Sequence, residues 1–181
     1  MKKWEKIETE LTHSFDPFFE VRVDRVLTPN GQEATYRTIQ AHNFCVIIPI
    51  DAEGKIYLVR QHRYPLDKYT LEFPKGSTDG EEPLEAAKRE LEEEIGHSST
   101  NWKKLGEIHP IISHSNSTGY GYLAEDIYKI ENPRKDPLDK DSIQIEIYTK
   151  DEVIELIKSG EITDSPTVSF FFKWQLLNSK T

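Results

Sequence analysis

Three glutamates, Glu90, Glu93 and Glu94, stand at i, i+3 and i+4 within the run Arg89-Glu90-Leu91-Glu92-Glu93-Glu94. On a helix turning about 100° per residue, those three positions share one face. Like charges at neighbour spacing repel and weaken a helix, so the arrangement gains only where a cation neutralises it. Carboxylate oxygens are the ligands Mg²⁺ prefers, and phosphate oxygens complete its octahedral shell. The other reading of the same residues is a solvated acidic face, along which Lys88 and Arg89 supply ordinary ion pairs.

The helix that would carry them runs over residues 83–96. Pro83 suits a first turn and Gly96 suits a C-terminal stop. Leu84, Ala87, Leu91 and Ile95 form an adjoining apolar stripe that must pack inward, while Glu85, Lys88 and Glu92 fall on a third face suited to water. The acidic cluster therefore borders the buried stripe instead of lying opposite it.

The flanking segments read mostly as strands. Residues 18–28 alternate, with Val21, Val23 and Val26 among charged neighbours; Pro29-Asn30-Gly31 turns the chain, and 35–39 is again extended. This predicts an N-terminal antiparallel β unit. The apolar run 44–50 reads as a strand covered on both faces. Further strands are predicted at 55–61, 70–73, 104–109, 119–129 and 143–149. Two more helices are predicted, one over 150–158 and one capped at Asp164-Ser165-Pro166 and running to about 177. Val168, Phe171, Phe172 and Leu176 of the latter are available to the core. The longest polar connection is 131–142, and no repeat or low-complexity tract interrupts the chain. Strands mixed with three helices predict an α/β sandwich.

Composition sets the outer limits. With 181 residues, 36% of them apolar and 30% charged, the chain is long enough for one domain with a sizeable core and too apolar for disorder. A net charge of −9 disfavours a nucleic-acid partner, which needs a basic face, but leaves room for a small phosphate ligand held through cations. No apolar run approaches the ~20 residues that span a bilayer, and no apolar stretch follows the basic N-terminus as in a signal peptide. Cys45 is the single cysteine, so no disulfide forms within the chain; inside its apolar run it reads as a small buried hydrophobe. These features point to a cytoplasmic protein without a membrane partner. The six histidines show no paired zinc spacing, and Ser113-His114-Ser115 lacks the glycine elbow of a nucleophilic serine.

The segment Gly76-x4-Glu81-x7-Arg89-Glu90-Leu91-x-Glu93-Glu94-x-Gly96-His97 resembles the signature of the Nudix hydrolase superfamily. The loop from Gly76 to Glu81 is one residue shorter than that signature, and His97 stands where it has an aliphatic residue. The resemblance extends to Val59-Arg60-Gln61-His62-Arg63-Tyr64-Pro65, to Leu71-Glu72-Phe73-Pro74-Lys75-Gly76 and to Ser159–Asp164 with the helix after it. These segments are similar to ADP-ribose and nucleoside-diphosphate-sugar pyrophosphatases, a resemblance that covers roughly residues 18–178.

The resemblance implies a Nudix-type α/β/α sandwich with a mixed sheet over residues 43–181, preceded by an N-terminal β extension over 1–42 used in homodimerisation. It implies hydrolysis of the diphosphate bridge of a nucleotide sugar, with Mg²⁺ as cofactor and Mn²⁺ as a substitute. The metal ligands it implies are Glu90, Glu93, Glu94 and the backbone carbonyl of Lys75, while Glu81 and Arg89 pair to fix the loop. The general base corresponds by position to Asp139 or Asp141; a solvated acidic loop is the alternative for both. Arg63 and Glu72 are candidates for substrate contact or for a scaffold ion pair. Phe18 and Phe19 are candidates for stacking on a nucleobase from the partner subunit, or for core packing. The loop 111–117 lacks the Pro-Gly pair of ADP-ribose-selective relatives, which favours a broader nucleotide-sugar preference. Dinucleoside polyphosphates and other nucleotides are the alternative substrates, and a nucleotide sensor without turnover is the alternative of another class.

Overall fold

The computed structural model describes residues 1–15, 17, 19–134 and 142–178. The chain divides into two compact units, Phe44–Ile108 with Gly119–Thr181, and Met1–Asn43 with His109–Thr118.

The larger unit owes its layering to strand periodicity. In β4 (Phe44–Pro49), the continuous apolar run, Val46 and Ile48 belong to one core cluster while Cys45 and Ile47 belong to another. Both faces of the strand are therefore covered. The first cluster packs against α2 (Lys150–Ser159) and α3 (Ser165–Asn178), through Val153, Phe170 and Phe171. The second packs against α1 (Pro83–Ile95), through Ala86, Ala87, Leu91 and Ile95. An α/β/α sandwich results, as the fold reading predicts.

The middle layer comprises sheets of mixed direction. β4 lies between β7 (Lys75–Ser77), antiparallel, and β10 (Gly119–Glu125), parallel, and β9 (Asn101–Ile108) follows on the far side of β10. β5 (Ile56–Arg63) sits between β6 (Lys68–Glu72) and β12 (Ile143–Tyr148), antiparallel to both. A short pair joins β8 (His97–Ser98) to β11 (Tyr128–Lys129). The strand predicted over 119–129 divides because Asp126 takes a left-handed conformation, φ 52°.

Helix ends fall where the sequence punctuates them. Gly96, at φ 68°, terminates α1 and its N–H returns to Glu92 O at 2.9 Å. Thr149 and Glu152 form a capping box on α2, and Asp164 accepts from Thr167 N at the start of α3. One prediction needs correction. Phe172 and Leu176 are exposed, at 52% and 74%, and the core positions of α3 are Thr167, Phe170 and Phe171, with Trp174 packed alongside. These follow i, i+3, i+4, i+7; of the four predicted residues Phe171 belongs to the core and Val168 packs against it, so the error lies at Phe172 and Leu176.

In the smaller unit β1 (Glu5–Phe15), β2 (Phe19–Leu27) and β3 (Glu33–Ala41) form an antiparallel meander. Gly31, φ 85°, makes the turn between β2 and β3. Residues 109–118 are stitched to β3 and its end: Ile39 N donates to His114 O at 2.7 Å, Ala41 N to Asn116 Oδ1 at 3.0 Å, and Tyr36 Oη to Ser113 O at 2.9 Å. Among the described residues, no helix is long and apolar enough to cross a membrane.

Candidate functional site

Helix α1 offers its glutamates to the turn that β7 makes beside it. Glu90 lies on the boundary of the apolar stripe and is buried, with 12% of its side chain exposed. Its carboxyl group rests against Gly76, so closely that a Cβ on residue 76 would overlap it. Here the glycine is required by close approach; its φ is not in the left-handed region. Glu94 turns toward the same strand and accepts from Lys75 N at 3.0 Å.

Arg89 governs the remaining carboxylates. Its Nη1 donates to Glu90 Oε1 at 2.6 Å and to Glu93 Oε2 at 3.0 Å. Nη2 donates to Ser77 O at 2.9 Å, and Nε reaches Glu81 Oε2 at 3.4 Å. Arg89 thus ties α1 to the loop before it, with Glu81 as a weaker partner than Glu90 and Glu93. Burial drives the Glu90 carboxyl up to about 7, Arg89 opposes this, and Glu93 and Asp79 reinforce it. Among the described residues, no three acidic, histidine or cysteine side chains are drawn together as a ready metal-ligand set. The reason is visible: Glu90 and Glu93 are turned onto Arg89, and Glu94 onto Lys75.

A divalent cation nevertheless fits these residues. The donors are hard carboxylate oxygens on one helix face, and a glycine cradle holds the most buried of them. A carboxylate raised by burial and by like charge is one that an added cation would stabilise in its ionised form. Glu90, Glu93, Glu94 and the carbonyl of Lys75 are the groups that could hold it.

A second cluster adjoins the first. Glu72, 3% exposed at its side chain, accepts from Arg63 Nε at 3.0 Å and Nη2 at 2.5 Å, from Lys75 Nζ at 2.9 Å and from Thr70 Oγ1 at 2.5 Å. Burial raises its pKa, but Arg63, Lys75 and Thr70 together hold it at about 2. Arg63 is 35% exposed at its side chain, and its Nη1 makes no hydrogen bond to another described residue. The pair is therefore both a scaffold contact and a partly open guanidinium, the group suited to phosphate.

Lys75 links this cluster to the far helix. Its ammonium also meets Asp164 Oδ1 at 2.5 Å; Asp164 Oδ2 accepts from Thr167 Oγ1 at 2.7 Å, and Thr167 Oγ1 accepts from Phe73 N at 3.0 Å. The sequence marks Asp164 as a helix cap, but nothing local in it signals the contact with Lys75, which lies 89 positions away.

Beneath the turn, Cys45 donates to Gly76 O at 3.6 Å. Burial, followed by the charge of Glu90, pushes its thiol up to about 12, so it stays a neutral buried group. Phe19, in the smaller unit, is 40% exposed and stacks on Phe15 with centroids 5.0 Å apart. It borders a cleft of about 370 Å³ lined by Glu20, Arg22, Gln40 and His42. Phe18, Asp139 and Asp141 lie outside the described residues.

Comparison with known proteins supplies the remaining findings. A family model described as the NUDIX domain matches residues 40–169. An ADP-ribose pyrophosphatase of Bacillus subtilis (strain 168) is 30% identical over 80% of this chain and 78% of its own. A methanol dehydrogenase activator of Bacillus methanolicus is 35% identical over 82% of this chain and 80% of its own. A solved ADP compounds hydrolase matches with a TM-score of 0.85, covering 98% of this chain and 95% of its own; at 23% identity, that is a likeness of fold.

Proposed function

Since the chain belongs to the NUDIX domain family, we propose that it hydrolyses the diphosphate bridge of ADP-ribose and other nucleoside diphosphate sugars, with Mg²⁺ as its cofactor. The products are a nucleoside monophosphate and a sugar phosphate. The observation that carries this reading is the carboxylate face of α1 set against the Lys75–Gly76 turn, with Glu90 seated where only glycine leaves room. The relative named ADP-ribose pyrophosphatase supports the substrate class.

In this reading Glu90, Glu93, Glu94 and the Lys75 carbonyl hold the cation. When bound, the metal neutralises the diphosphate and makes a water acidic enough to attack phosphorus. Arg89 holds Glu90 and Glu93 beside the turn and offsets part of their mutual repulsion. Arg63, braced bidentately by Glu72, presents its free Nη1 to a phosphate oxygen without having to be ordered on binding. Asp139 or Asp141 takes the proton from water, an assignment carried by the resemblance. Phe19, 40% exposed, remains a candidate with Phe18 for stacking on the nucleobase from a partner subunit.

The test is incubation with ADP-ribose and a panel of nucleotide sugars, dinucleoside polyphosphates and NAD, each with Mg²⁺, Mn²⁺ or EDTA. The panel is wide because relatives of similar identity carry different names. Release of AMP from ADP-ribose only with a divalent cation supports the proposal. Absence of any monophosphate across the panel would sink it, and intact nucleotide recovered from a tight complex would point to the sensor.

A further inference from the structure

On the face of the β12–β5–β6 sheet that looks toward α1, a buried polar group has no partner among the described residues. Val59, Gln61 and Arg63 alternate on β5 and so share this face, since strand side chains repeat every second residue. Val59 packs in the α1-side core, and Arg63 reaches Glu72. Gln61 stands between them, opposite Thr70 on β6 and Ile143 on β12. Thr70 Oγ1 donates its single proton to the Glu72 carboxylate at 2.5 Å, with the Gln61 backbone carbonyl a weaker second acceptor at 3.4 Å. Gln61 is 95% buried, and among the described residues its side-chain Nε2 is buried without a hydrogen-bond partner.

A buried amide donor without an acceptor costs roughly 1–3 kcal/mol, and few are kept in native proteins. A scaffold role would be met better by leucine or methionine, because the flanking Val59 and Ile143 are apolar. The position is two residues from the partly open guanidinium of Arg63, on the same face. We infer that Gln61 is a substrate contact, its Nε2 donating to an acceptor oxygen of the nucleotide sugar beside the phosphate that Arg63 holds. Substrate then supplies the acceptor that the described residues do not. This rests on the proposed hydrolysis, which the wild-type protein tests first: if it cleaves nothing in the panel, that reading fails and not the one argued here.

The experiment compares wild type with Gln61→Met, which keeps the length and apolar fit of the side chain but removes the amide, and Gln61→Glu, which keeps acceptors and removes the donor. With ADP-ribose and Mg²⁺, both variants should raise KM by roughly three- to tenfold, the share of one neutral hydrogen bond. The change in kcat should be less than about twofold for Gln61→Met. The melting temperature of Gln61→Met should equal or exceed that of wild type, because an unpaired polar group has gone. An unchanged KM in Gln61→Met overturns the inference, whatever the melting temperature does. A Gln61→Glu enzyme with wild-type KM overturns the donor assignment. If neither variant folds, the side-chain amide resonance of Gln61 in the wild-type protein is followed while ADP-ribose is added in EDTA. A shift and slowed hydrogen exchange of that amide support the contact, and an unmoved resonance at saturation overturns it.

Discussion

Replacing Gly76 with alanine separates the stability of the fold from its chemistry. The new Cβ would overlap the Glu90 carboxyl group. Gly76 has an ordinary backbone conformation, so alanine fits there and stabilises by about 0.4–1 kcal/mol through the unfolded chain. The conflict therefore falls on the end of a flexible side chain, and Glu90 must swing away. Burial holds the Glu90 carboxyl at about 7 against an ordinary 4.5. At pH 8 the ionised group in place is thus disfavoured by about 3 kcal/mol, and that difference already includes the attraction of Arg89. Release to water returns much of it, while the alanine methyl fills part of the vacated space. In EDTA at pH 8 the variant should melt at the wild-type temperature or higher, by at most about 10 °C. Its kcat/KM toward ADP-ribose should fall at least about 100-fold, near 2.7 kcal/mol of transition-state stabilisation. The rise in melting temperature produced by Mg²⁺ should shrink, because the ligand no longer gains as much from the folded state. Calorimetry with EDTA and with Mg²⁺, beside steady-state kinetics, reads all three. Adding Glu90→Gln to Gly76→Ala should lower activity little further, since both remove the same group. A melting temperature lower by more than about 5 °C in EDTA, or turnover within about tenfold of wild type, would refute the reasoning.

Glu93→Gln should lower turnover at least about 100-fold while far-ultraviolet circular dichroism stays unchanged. The Glu72 carboxyl has its folded pKa held at about 2, below the unfolded 4.5, so its stabilisation of about 3 kcal/mol is complete above pH 4.5. It disappears as the pH falls from 4.5 toward 2; Glu72→Gln should lose a similar amount at pH 7 and flatten that acid limb in denaturant titrations. Thr167→Val leaves the buried Phe73 N–H without its acceptor and takes from Asp164 the hydroxyl donor, one of its three, so unfolding free energy should drop by about 2–4 kcal/mol. The N-terminal sheet leaves Trp4, Ile7, Leu11, Phe15 and Phe19 exposed; light scattering should give the mass of two chains, and a monomeric mass would remove the dimer.

What the sequence made legible was local. The segment from Gly76 to Gly96 could be read because a turn, a first-turn proline, an i, i+3, i+4 acidic face and a C-terminal glycine are all encoded within a few residues of where they act. The doubly covered β4 was readable for the same reason. α3 was harder, since Phe170, Phe171, Phe172, Trp174, Leu176 and Leu177 leave scarcely any polar face to orient the helix. The stripe was therefore misplaced onto Phe172 and Leu176, which the sandwich leaves outside. β1 escaped notice because its apolar residues Ile7, Leu11 and Phe15 recur every fourth position, although the strand needs a period of two. The attachment of 109–118 to β3 depends on backbone bonds to Ile39 and on Asn116, pairings about 75 positions apart that no local pattern announces. The isolated amide of Gln61 was invisible in the same way, because a missing partner is a property of the packed site.

The site is therefore less a property of the acidic helix than of the residue facing it. Lys75 donates its backbone N–H to Glu94, and its ammonium lies against both Glu72 and Asp164. α1, β6 and the capped start of α3 meet on that one residue. Each contact has a definite electrostatic consequence. The N–H turns Glu94 toward the turn, and the ammonium helps hold Glu72 ionised where burial would protonate it. The ionised Glu72 in turn clamps Arg63, which stays partly exposed. The cap residue Asp164 keeps the ammonium from being drawn onto Glu72 alone, and Thr167 anchors that cap to the Phe73 backbone two residues before Lys75. A chain of paired charges thus runs from α3 to the partly exposed guanidinium of Arg63. In the proposed reading the carboxylate face of α1 supplies the metal ligands, but the geometry in which it would meet a diphosphate is set from the opposite layer of the sandwich.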